Sequence, residues 1–280
     1  MRAPDAVALL PAWLEPRLAR AEALADGATS TPAPGGRFLG IDLGTSDVVT
    51  MAVDADGEPL AARLTWADVV RDGVVLAFHE AVRIVREHVA AIEAELGCRF
   101  EAAATSFPPG TEARISGNVL EAAGLKVSAL LDEPSAVASL LDIDTGAVVD
   151  IGGGTTGVAV IERGRVVYSG DEATGGTHAT LALAGALRCP VDAAERYKRE
   201  QGVAAWNIVR PVFEKMTDIV RQHLRSSTPI RRLYLSGGSC ALPGVQALFA
   251  EAFPEAQVLL PQPCLFLTPL AIADSARRAT

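Results

Sequence analysis

Short runs of consecutive apolar residues alternate along the chain with longer stretches that have helical spacing. The runs 38–43 and 147–151 are typical of buried strands, and each is followed by a turn of glycines and hydroxyl residues and then by another apolar run. Each first strand carries an aspartate at its end, Asp42 or Asp150. The same hairpin pattern occurs twice, which predicts two related domains that meet around one ligand.

The remaining residues predict an ordered alternation of helices and strands. In the first half, helices are predicted at 74–97, 112–123 and 135–141, and strands at 102–107 and 125–131. In the second half, helices are predicted at 177–187, 193–200, 209–223, 243–253 and 269–278, and a strand at 232–235. This alternation indicates an α/β fold in layers with ligand loops at the strand ends. The last helix is expected to cross back to the first domain.

The two turns have the chemistry of a phosphate site. Glycine permits positive φ and exposes backbone N–H groups, so successive amides can form an anion-binding nest to which hydroxyl groups add donors. An aspartate at the strand end can hold a hydrated Mg²⁺ beside it. The alternative is that these are two unrelated aspartate-containing turns. The repetition of one pattern, with the aspartate in the same position, favours the phosphate site over this alternative. The candidate phosphate-binding residues are Gly44, Thr45 and Ser46 in the first turn and Gly152, Gly153, Gly154, Thr155 and Thr156 in the second.

Composition argues against several classes of function. With 280 residues, 49% of them hydrophobic, the chain can bury the cores of two domains. A net charge of −9 without a cluster of basic residues argues against a nucleic-acid partner. The four cysteines and four histidines lack metal-ligand spacing, and no apolar run is long enough to span a membrane. We therefore expect a cytoplasmic protein with free thiols and no membrane span.

Residues 1–37 are predicted to be an appended segment. Residues 25–37 are small, rich in proline and glycine, and aperiodic, which is typical of a flexible linker. An amphipathic helix is predicted to start at Pro16, and its apolar side would be formed by Trp13, Leu14, Leu18, Ala21 and Leu24. Two interpretations are open: a helix that packs on its own domain, and a detachable docking peptide for a protein partner.

Motifs along residues 38–278 resemble the actin, Hsp70 and sugar-kinase superfamily. They are the first hairpin, Asp132-Glu133-Pro134-Ser135-Ala136, the second hairpin with Asp150-Ile151-Gly152-Gly153-Gly154-Thr155, and Leu235-Ser236-Gly237-Gly238-Ser239. Within it, the segments 66–73, 104–111, 171–176 and 266–273 look like the EutJ family of ethanolamine utilization proteins, a chaperone-like branch. The resemblance implies an actin-like ATPase fold with two duplicated ribonuclease-H-like domains around a nucleotide cleft.

The resemblance also implies a role for each matching residue. Asp42 and Asp150 would meet the phosphates of ATP or ADP and hold Mg²⁺ through water, as catalytic and metal-binding residues. Glu133 would lie near the attacking water or the water shell of the metal. The nucleoside would be bound by Gly237, Gly238, Ser239, Glu195, Lys198 and Arg199. For the last three of these, a salt-bridged surface helix is an equally open alternative.

The resemblance divides the chain into two domains. Residues 38–143 together with 267–280 would form actin-like domain I, and residues 144–266 would form actin-like domain II. Because the chain ends at Thr280, we expect a compact protein without a peptide-binding domain of the Hsp70 kind.

Three functions are compatible with this interpretation. The first is a Mg-ATP-dependent switch, chaperone-like, that assists assembly or reactivation of ethanolamine-degrading enzymes or of the microcompartment shell. The second is a nucleotide-binding scaffold or actin-like filament protein with negligible turnover. The third and least favoured is a small-molecule kinase, since no extra loop offers an acid or base for a hydroxyl substrate. Slow hydrolysis is expected, because only Arg63 or Arg71, each equally a surface charge, could replace the lysine that Hsp70 places beside the γ-phosphate.

Overall fold

The computed structural model describes residues 10–29 and 35–279, apart from seven positions in the second range. Those positions are Val69, Asp72, Gly73, Leu76, Pro108, Gly110 and Thr111. Residues 30–34 of the predicted linker, and parts of the segments 66–73 and 104–111, therefore lie outside the described residues.

The first half of the chain builds a mixed sheet with helices on it. Its elements are α1 (Leu14–Ala25), β1 (Arg37–Leu43), β2 (Asp47–Asp54), β3 (Pro59–Trp66), β4 (Val70–Arg71), β5 (Val74–Val75), α2 (Phe78–Leu96), β6 (Ala102–Phe107), α3 (Arg114–Ala123), β7 (Lys126–Asp132) and α4 (Glu133–Leu140). Five strands form a sheet in the order β3-β2-β1-β6-β7. In it β1, β2 and β3 are antiparallel neighbours, whereas β6 and β7 run parallel to β1.

The second half repeats this plan. Its elements are β8 (Gly146–Ile151), β9 (Thr156–Glu162), β10 (Arg165–Glu172), α5 (Gly176–Leu187), α6 (Val191–Glu200), α7 (Gly202–His223), β11 (Arg232–Ser236), α8 (Val245–Ala252), β12 (Gln257–Leu259) and α9 (Leu267–Arg278), with 3₁₀ helices at Leu224–Ser226, Gly238–Ala241 and Cys264–Phe266. The sheet order is β10-β9-β8-β11-β12, with the same succession of antiparallel and parallel neighbours as in the first sheet. The predicted duplicated α/β architecture is confirmed.

The two sheets are joined through a shared apolar core. One cluster of buried residues includes Met51 of the first sheet, Val148 of the second, and much of α4 and α9. As predicted, α9 crosses back to the first sheet and packs on β1, where Gly40 lies against the backbone of Ala273. This crossing is consistent with the predicted assignment of the C-terminal residues to domain I, while the exact domain boundaries stay a prediction.

The N-terminal helix α1 packs on its own domain. It lies against β3, and its apolar side is fully buried at Leu14, Leu18 and Ala21. Arg17 Nε also donates to Glu58 Oε1 over 2.6 Å. The predicted apolar side is therefore used within the chain, which is the first of the two interpretations. Docking of the N-terminal segment to a partner stays a prediction.

The predicted helix 74–97 begins later than expected. Val75 fits the helical spacing, yet Val74–Val75 pair with Val70–Arg71 in a short antiparallel ladder, and α2 begins at Phe78. Ala77 precedes it with φ −104° and ψ 63°, outside the helical region. Val74 and Val75, at the N-terminal end of the predicted helical pattern, thus belong to a short strand and not to the helix.

The predicted helix 209–223 begins earlier than expected. The observed α7 starts at Gly202, because Ala205 continues the buried side of the helix that Val209 and later residues form. Pro211 lies inside this helix. The other predicted boundaries lie within two residues of those observed. No helix in the described part of the chain has the length and apolar character that crossing a membrane requires.

The packing of α1 predicts that Leu18→Ala destabilises the protein by about 2–5 kcal/mol, because it removes a fully buried side chain and leaves a cavity. Urea unfolding measures the change. Leu181→Ala is the matched control, since Leu181 is 51% exposed and the same truncation there should cost far less. Equal stability of Leu18→Ala and the wild type would mean that α1 contributes nothing to the fold.

Candidate functional site

A cavity of about 590 Å³ lies where the two hairpin turns, α6 and the 3₁₀ helix Gly238–Ala241 face one another. This volume is within the range of small-molecule and cofactor sites. Most predicted site residues line it, namely Asp42, Gly44, Thr45, Ser46, Glu133, Asp150, Gly152, Gly153, Thr155, Glu195, Lys198, Arg199, Gly237, Gly238 and Ser239. The fold thus brings residues from across the sequence to one place.

Two predicted phosphate-binding residues lie outside the cavity lining. Thr156 is buried, and its hydroxyl donates to the carbonyl oxygen of Thr174 over 2.6 Å. Gly154 faces the side chain of Thr45, because a Cβ atom at Gly154 would come within 2.6 Å of Thr45 Oγ1. The Thr156 hydroxyl therefore holds two chain segments together, and Gly154 permits close contact between the turns.

The two hairpin turns touch each other. A Cβ atom at Gly153 would overlap the Ser46 side chain, so this approach requires glycine. The second turn is held from behind by the start of α5, where the Gly176 N–H donates to Gly152 O over 2.9 Å and the Thr177 N–H donates to Gly153 O over 2.7 Å. Contact between the turns closes the cleft at this point, and their separation would widen it.

The loop 237–239, which is predicted to bind the nucleoside, is tied to the second turn. Ser239 Oγ donates to the carbonyl oxygen of Gly152 over 2.8 Å. Gly237 has φ +89°, and a Cβ atom there would come within 2.6 Å of Asp150 Oδ1. A Cβ atom at Gly238 would come within 2.9 Å of Leu265 Cδ1. Gly237 is therefore required for close packing on the strand that carries Asp150, whereas position 238 meets the end of the Leu265 side chain.

Two buried aspartates lie at the ends of the first strands, Asp42 in β1 and Asp150 in β8. Ser106 Oγ donates to Asp42 Oδ1 over 3.1 Å, and Thr268 Oγ1 donates to Asp150 Oδ2 over 2.5 Å. Burial, together with the charges of Asp47 and Asp150, raises the pKa of Asp42 to about 8. Burial likewise raises the pKa of Asp150, although hydrogen-bonding hydroxyl groups act against this rise.

Glu133 is the first residue of α4. Asp132 caps this helix by accepting a hydrogen bond from the Ser135 N–H over 3.0 Å, which fixes the start of the helix and with it the Glu133 backbone. Burial, followed by the charges of Asp42 and Asp150, raises the pKa of Glu133 well above its usual range. The buried carboxylates of Asp42, Asp150 and Glu133 therefore repel one another when they are ionised.

The carboxylate cluster fits a hard cation. Mutual repulsion of buried carboxylates is relieved either by proton uptake or by a positive ion, and Mg²⁺ prefers oxygen ligands while keeping several waters. Among the described residues, no three acidic, histidine or cysteine side chains are placed to ligate one metal ion together. The buried carboxylates of Asp42, Asp150 and Glu133 are of the donor type that Mg²⁺ prefers, and Mg²⁺ held through water stays a prediction.

Glu195, Lys198 and Arg199 line the cavity from α6. Glu195 Oε2 accepts from Lys198 Nζ over 2.7 Å, and Glu195 Oε1 accepts from Arg199 Nε over 2.8 Å. Lys198 Nζ also donates to Thr180 Oγ1 over 2.7 Å. These ion pairs are those expected of a salt-bridged surface helix, yet the same residues also face the cavity. Their role in nucleoside binding therefore stays a prediction. Lys198 and Arg199 are the only cationic residues in the described lining.

Arg63 does not supply the missing cation of the γ-phosphate position. Its guanidinium Nη2 donates to Glu95 Oε2 of α2 over 2.6 Å, and it does not line the cavity. The ion pair gives Arg63 a structural role on the first domain. The side chain of Arg71 lies outside the described residues.

Comparisons with known proteins agree with the sequence motifs. A family model described as cell division protein FtsA matches residues 147–274. The ethanolamine utilization protein EutJ of Salmonella typhimurium (strain LT2) is 57% identical over 268 residues, covering 95% of this chain and 94% of that protein. The chain belongs to the EutJ family. The crystal structure of EutJ from Carboxydothermus hydrogenoformans has a TM-score of 0.89 at 41% identity and covers 94% of this chain and 98% of its own.

The EutJ-family chain has the actin-like ATPase fold. MreB 5 of Spiroplasma citri, whose crystal structure is bound to AMPPNP, has a TM-score of 0.66 at 16% identity, covering 86% of this chain and 95% of its own. At this identity the likeness concerns the fold alone. It agrees with the duplicated sheets and with the FtsA family match in the second half.

Sequence reasoning missed several residues of this EutJ-family cavity. Asp47 and Trp66 line it, and Thr268 and Ser106 hydrogen-bond to the two aspartates. Asp47 directly follows the first turn in the sequence, so its position next to a candidate phosphate site could have predicted that it lines the cavity. Thr268 is 118 residues from Asp150 in the sequence, and no local pattern links the two.

The raised pKa of Asp42 predicts that Asp42→Asn stabilises the protein at pH 8 when nucleotide and divalent cations are absent. With a folded-state pKa of about 8 against an ordinary 3.8, the folded protein binds more protons than the unfolded chain between these values. The free energy of unfolding of the wild type therefore falls as the pH rises from about 4 to 8. We expect the advantage of Asp42→Asn over the wild type to be larger at pH 8 than at pH 4 by more than about 1 kcal/mol.

Urea unfolding at both pH values measures this difference. Asp218→Asn is the control, since Asp218 is exposed on α7 and pairs with Arg221 away from the cavity. A difference between Asp42→Asn and the wild type that is the same at pH 4 and pH 8 would contradict the assignment.

Proposed function

We propose that this protein binds Mg-ATP in the cavity between its two domains and works as a slow ATPase switch. The observation that carries the proposal is the convergence of both hairpin turns with Asp42, Asp150 and Glu133 on one cavity. Phosphoryl transfer requires mainly that phosphate and water be positioned and that charge be neutralised. The residues around this cavity offer each of these functions.

The protein's own groups have separate roles in this proposal. Asp42 and Asp150 would hold the water shell of Mg²⁺, which would supply positive charge against the phosphates. Glu133 accepts a hydrogen bond from the attacking water and orients it, consistent with a carboxylate at the start of α4. The amides of the two turns, with Thr45, Ser46 and Thr155, donate to phosphate oxygens.

Slow turnover follows from the placement of positive charge. Lys198 and Arg199, the cations of the described lining, are both held by Glu195 on α6. Among the described residues of the lining, no cationic side chain is thus left to stabilise charge on the transferred phosphoryl group, and backbone amides and Mg²⁺ would have to do so. Domain movement, rather than rapid hydrolysis, is the output that we propose.

The family relationship suggests the cellular setting. Relatives at 57% identity are named ethanolamine utilization proteins, and we propose that this protein serves the same process in the cytoplasm. Its partners would be ethanolamine-degrading enzymes or the shell of a microcompartment, whose assembly or reactivation the ATP cycle would assist in a chaperone-like way. No nucleic-acid partner is proposed, because the chain is acidic, with a net charge of −9.

A nucleotide-binding scaffold or filament with negligible turnover is the second candidate. It is favoured by the engagement of Lys198 and Arg199 in ion pairs with Glu195. Sedimentation with and without Mg-ATP separates the two, since a filament pellets only when nucleotide supports assembly, whereas a switch remains in the supernatant and releases phosphate.

The proposal predicts that ADP and a non-hydrolysable ATP analogue bind in isothermal titration calorimetry, and that Mg²⁺ strengthens binding of the analogue at least about tenfold. Asp150→Asn should remove most of this Mg²⁺ dependence, because it removes a charge that holds the water shell of the ion. The control Asp218→Asn should bind as the wild type does. Absence of binding in every condition would overturn the nucleotide proposal.

A further inference from the structure

Two residues of the first domain face α6 of the second domain at the cavity. Asp47 is the first residue of β2 and Trp66 is the last residue of β3, and they are directly opposite each other in the antiparallel ladder. Both line the cavity. The end of the β2–β3 hairpin therefore presents an acidic group and an aromatic ring side by side.

Arg199 reaches this pair from the second domain. The Cζ atom of its guanidinium lies 3.5 Å from the centroid of the Trp66 ring, while its Nε donates to Glu195 Oε1 over 2.8 Å on its own helix. Burial raises the pKa of Asp47 to about 6, and the nearby positive charge of Arg199 acts to lower it. Arg199 thus has an aromatic and an anionic neighbour on the first domain and an anionic anchor on the second.

Core packing does not account for the place of Trp66. Its side chain is 48% exposed, and among the described residues it belongs to none of the three apolar clusters. An exposed tryptophan at the wall of a cavity, covered on one face by a guanidinium, is typical of a recognition surface. A planar guanidinium can stack on aromatic rings, so a second ring can lie against Arg199 from the cavity side.

We propose that Trp66 is a positioning residue of the nucleoside site: it holds Arg199, which the resemblance places at the nucleoside, across the cleft with the other face of its guanidinium open to the base of the bound nucleotide. This inference rests on the proposed nucleotide function and adds to it a link between the nucleoside site and the first domain through Arg199. The base then binds best when the first domain supports Arg199. Occupancy of the nucleoside site therefore favours the closed arrangement of the two domains.

The test compares Mg-ATP with inorganic tripolyphosphate, which lacks the base and the ribose, by calorimetry. Trp66→Leu should weaken Mg-ATP binding about three- to tenfold, in line with the strength of cation–π contacts, and should leave tripolyphosphate binding unchanged. Trp66→Phe keeps an aromatic face and should recover most of the loss. Arg199→Lys keeps the charge but loses planar stacking, so it should weaken Mg-ATP binding to a similar extent.

The double variant Trp66→Leu/Arg199→Lys distinguishes positioning from independent contacts. If Trp66 acts through Arg199, the double variant should bind Mg-ATP no more weakly than the weaker single variant, because the two losses are coupled. Unchanged Mg-ATP binding by Trp66→Leu, additive losses in the double variant, or an equal loss of tripolyphosphate binding would each overturn the inference. Failure of the wild type to bind ATP would instead overturn the proposed function.

Discussion

The burial of three carboxylates at the meeting point of two duplicated hairpins is the constraint on which the site depends. Asp42, Asp150 and Glu133 lie where two domains touch, and burial and mutual repulsion raise the pKa values of Asp42 and Glu133. Such a cluster costs free energy in the absence of a positive ion. In the function that we propose, this cost is offset when the same groups hold a hydrated cation against phosphate charge.

The C-terminal helix connects this cluster to both sheets. The body of α9 packs on β1 of the first sheet, while Thr268 near its start donates a hydrogen bond to Asp150 of the second sheet. A shift between the sheets therefore changes the surroundings of Asp150. The contact of Ser46 with Gly153 and the stacking of Arg199 on Trp66 are further points at which the domains touch. In the proposed function, these contacts are the ones through which ligand binding would change the position of the domains.

The sequence was most informative where structure depends on local chemistry. Glycine and hydroxyl turns next to Asp42 and Asp150 predicted the two hairpins, since few other residues fit such turns. The alternation of elements predicted the layered fold, and their spacing predicted most boundaries. The helical pattern was a poor guide at Val74–Val75, which pair in a strand, and at the start of α7, where tertiary burial extends the helix.

Residues that depend on distant partners could not be predicted in the same way. Trp66 lines the cavity because of the register of β2 with β3, and it contacts Arg199 because α6 packs nearby. The residues next to Trp66 in the sequence predict neither feature. The hydroxyl of Thr156 donates to the carbonyl oxygen of Thr174, a contact that the motif does not reveal, and its phosphate role stays a prediction. The amphipathic side of α1 was predicted correctly, but only the folded chain reveals that β3 covers it.

The central claim is that the buried carboxylates hold a cation beside a nucleotide. A crystal structure grown with a non-hydrolysable ATP analogue and Mn²⁺, which marks the metal by its anomalous scattering, tests it most directly. The account predicts one metal peak between the hairpin turns, with waters linking it to Asp42 and Asp150 and with the phosphates against both turns. A nucleotide bound elsewhere, or a metal site away from these aspartates, would contradict it.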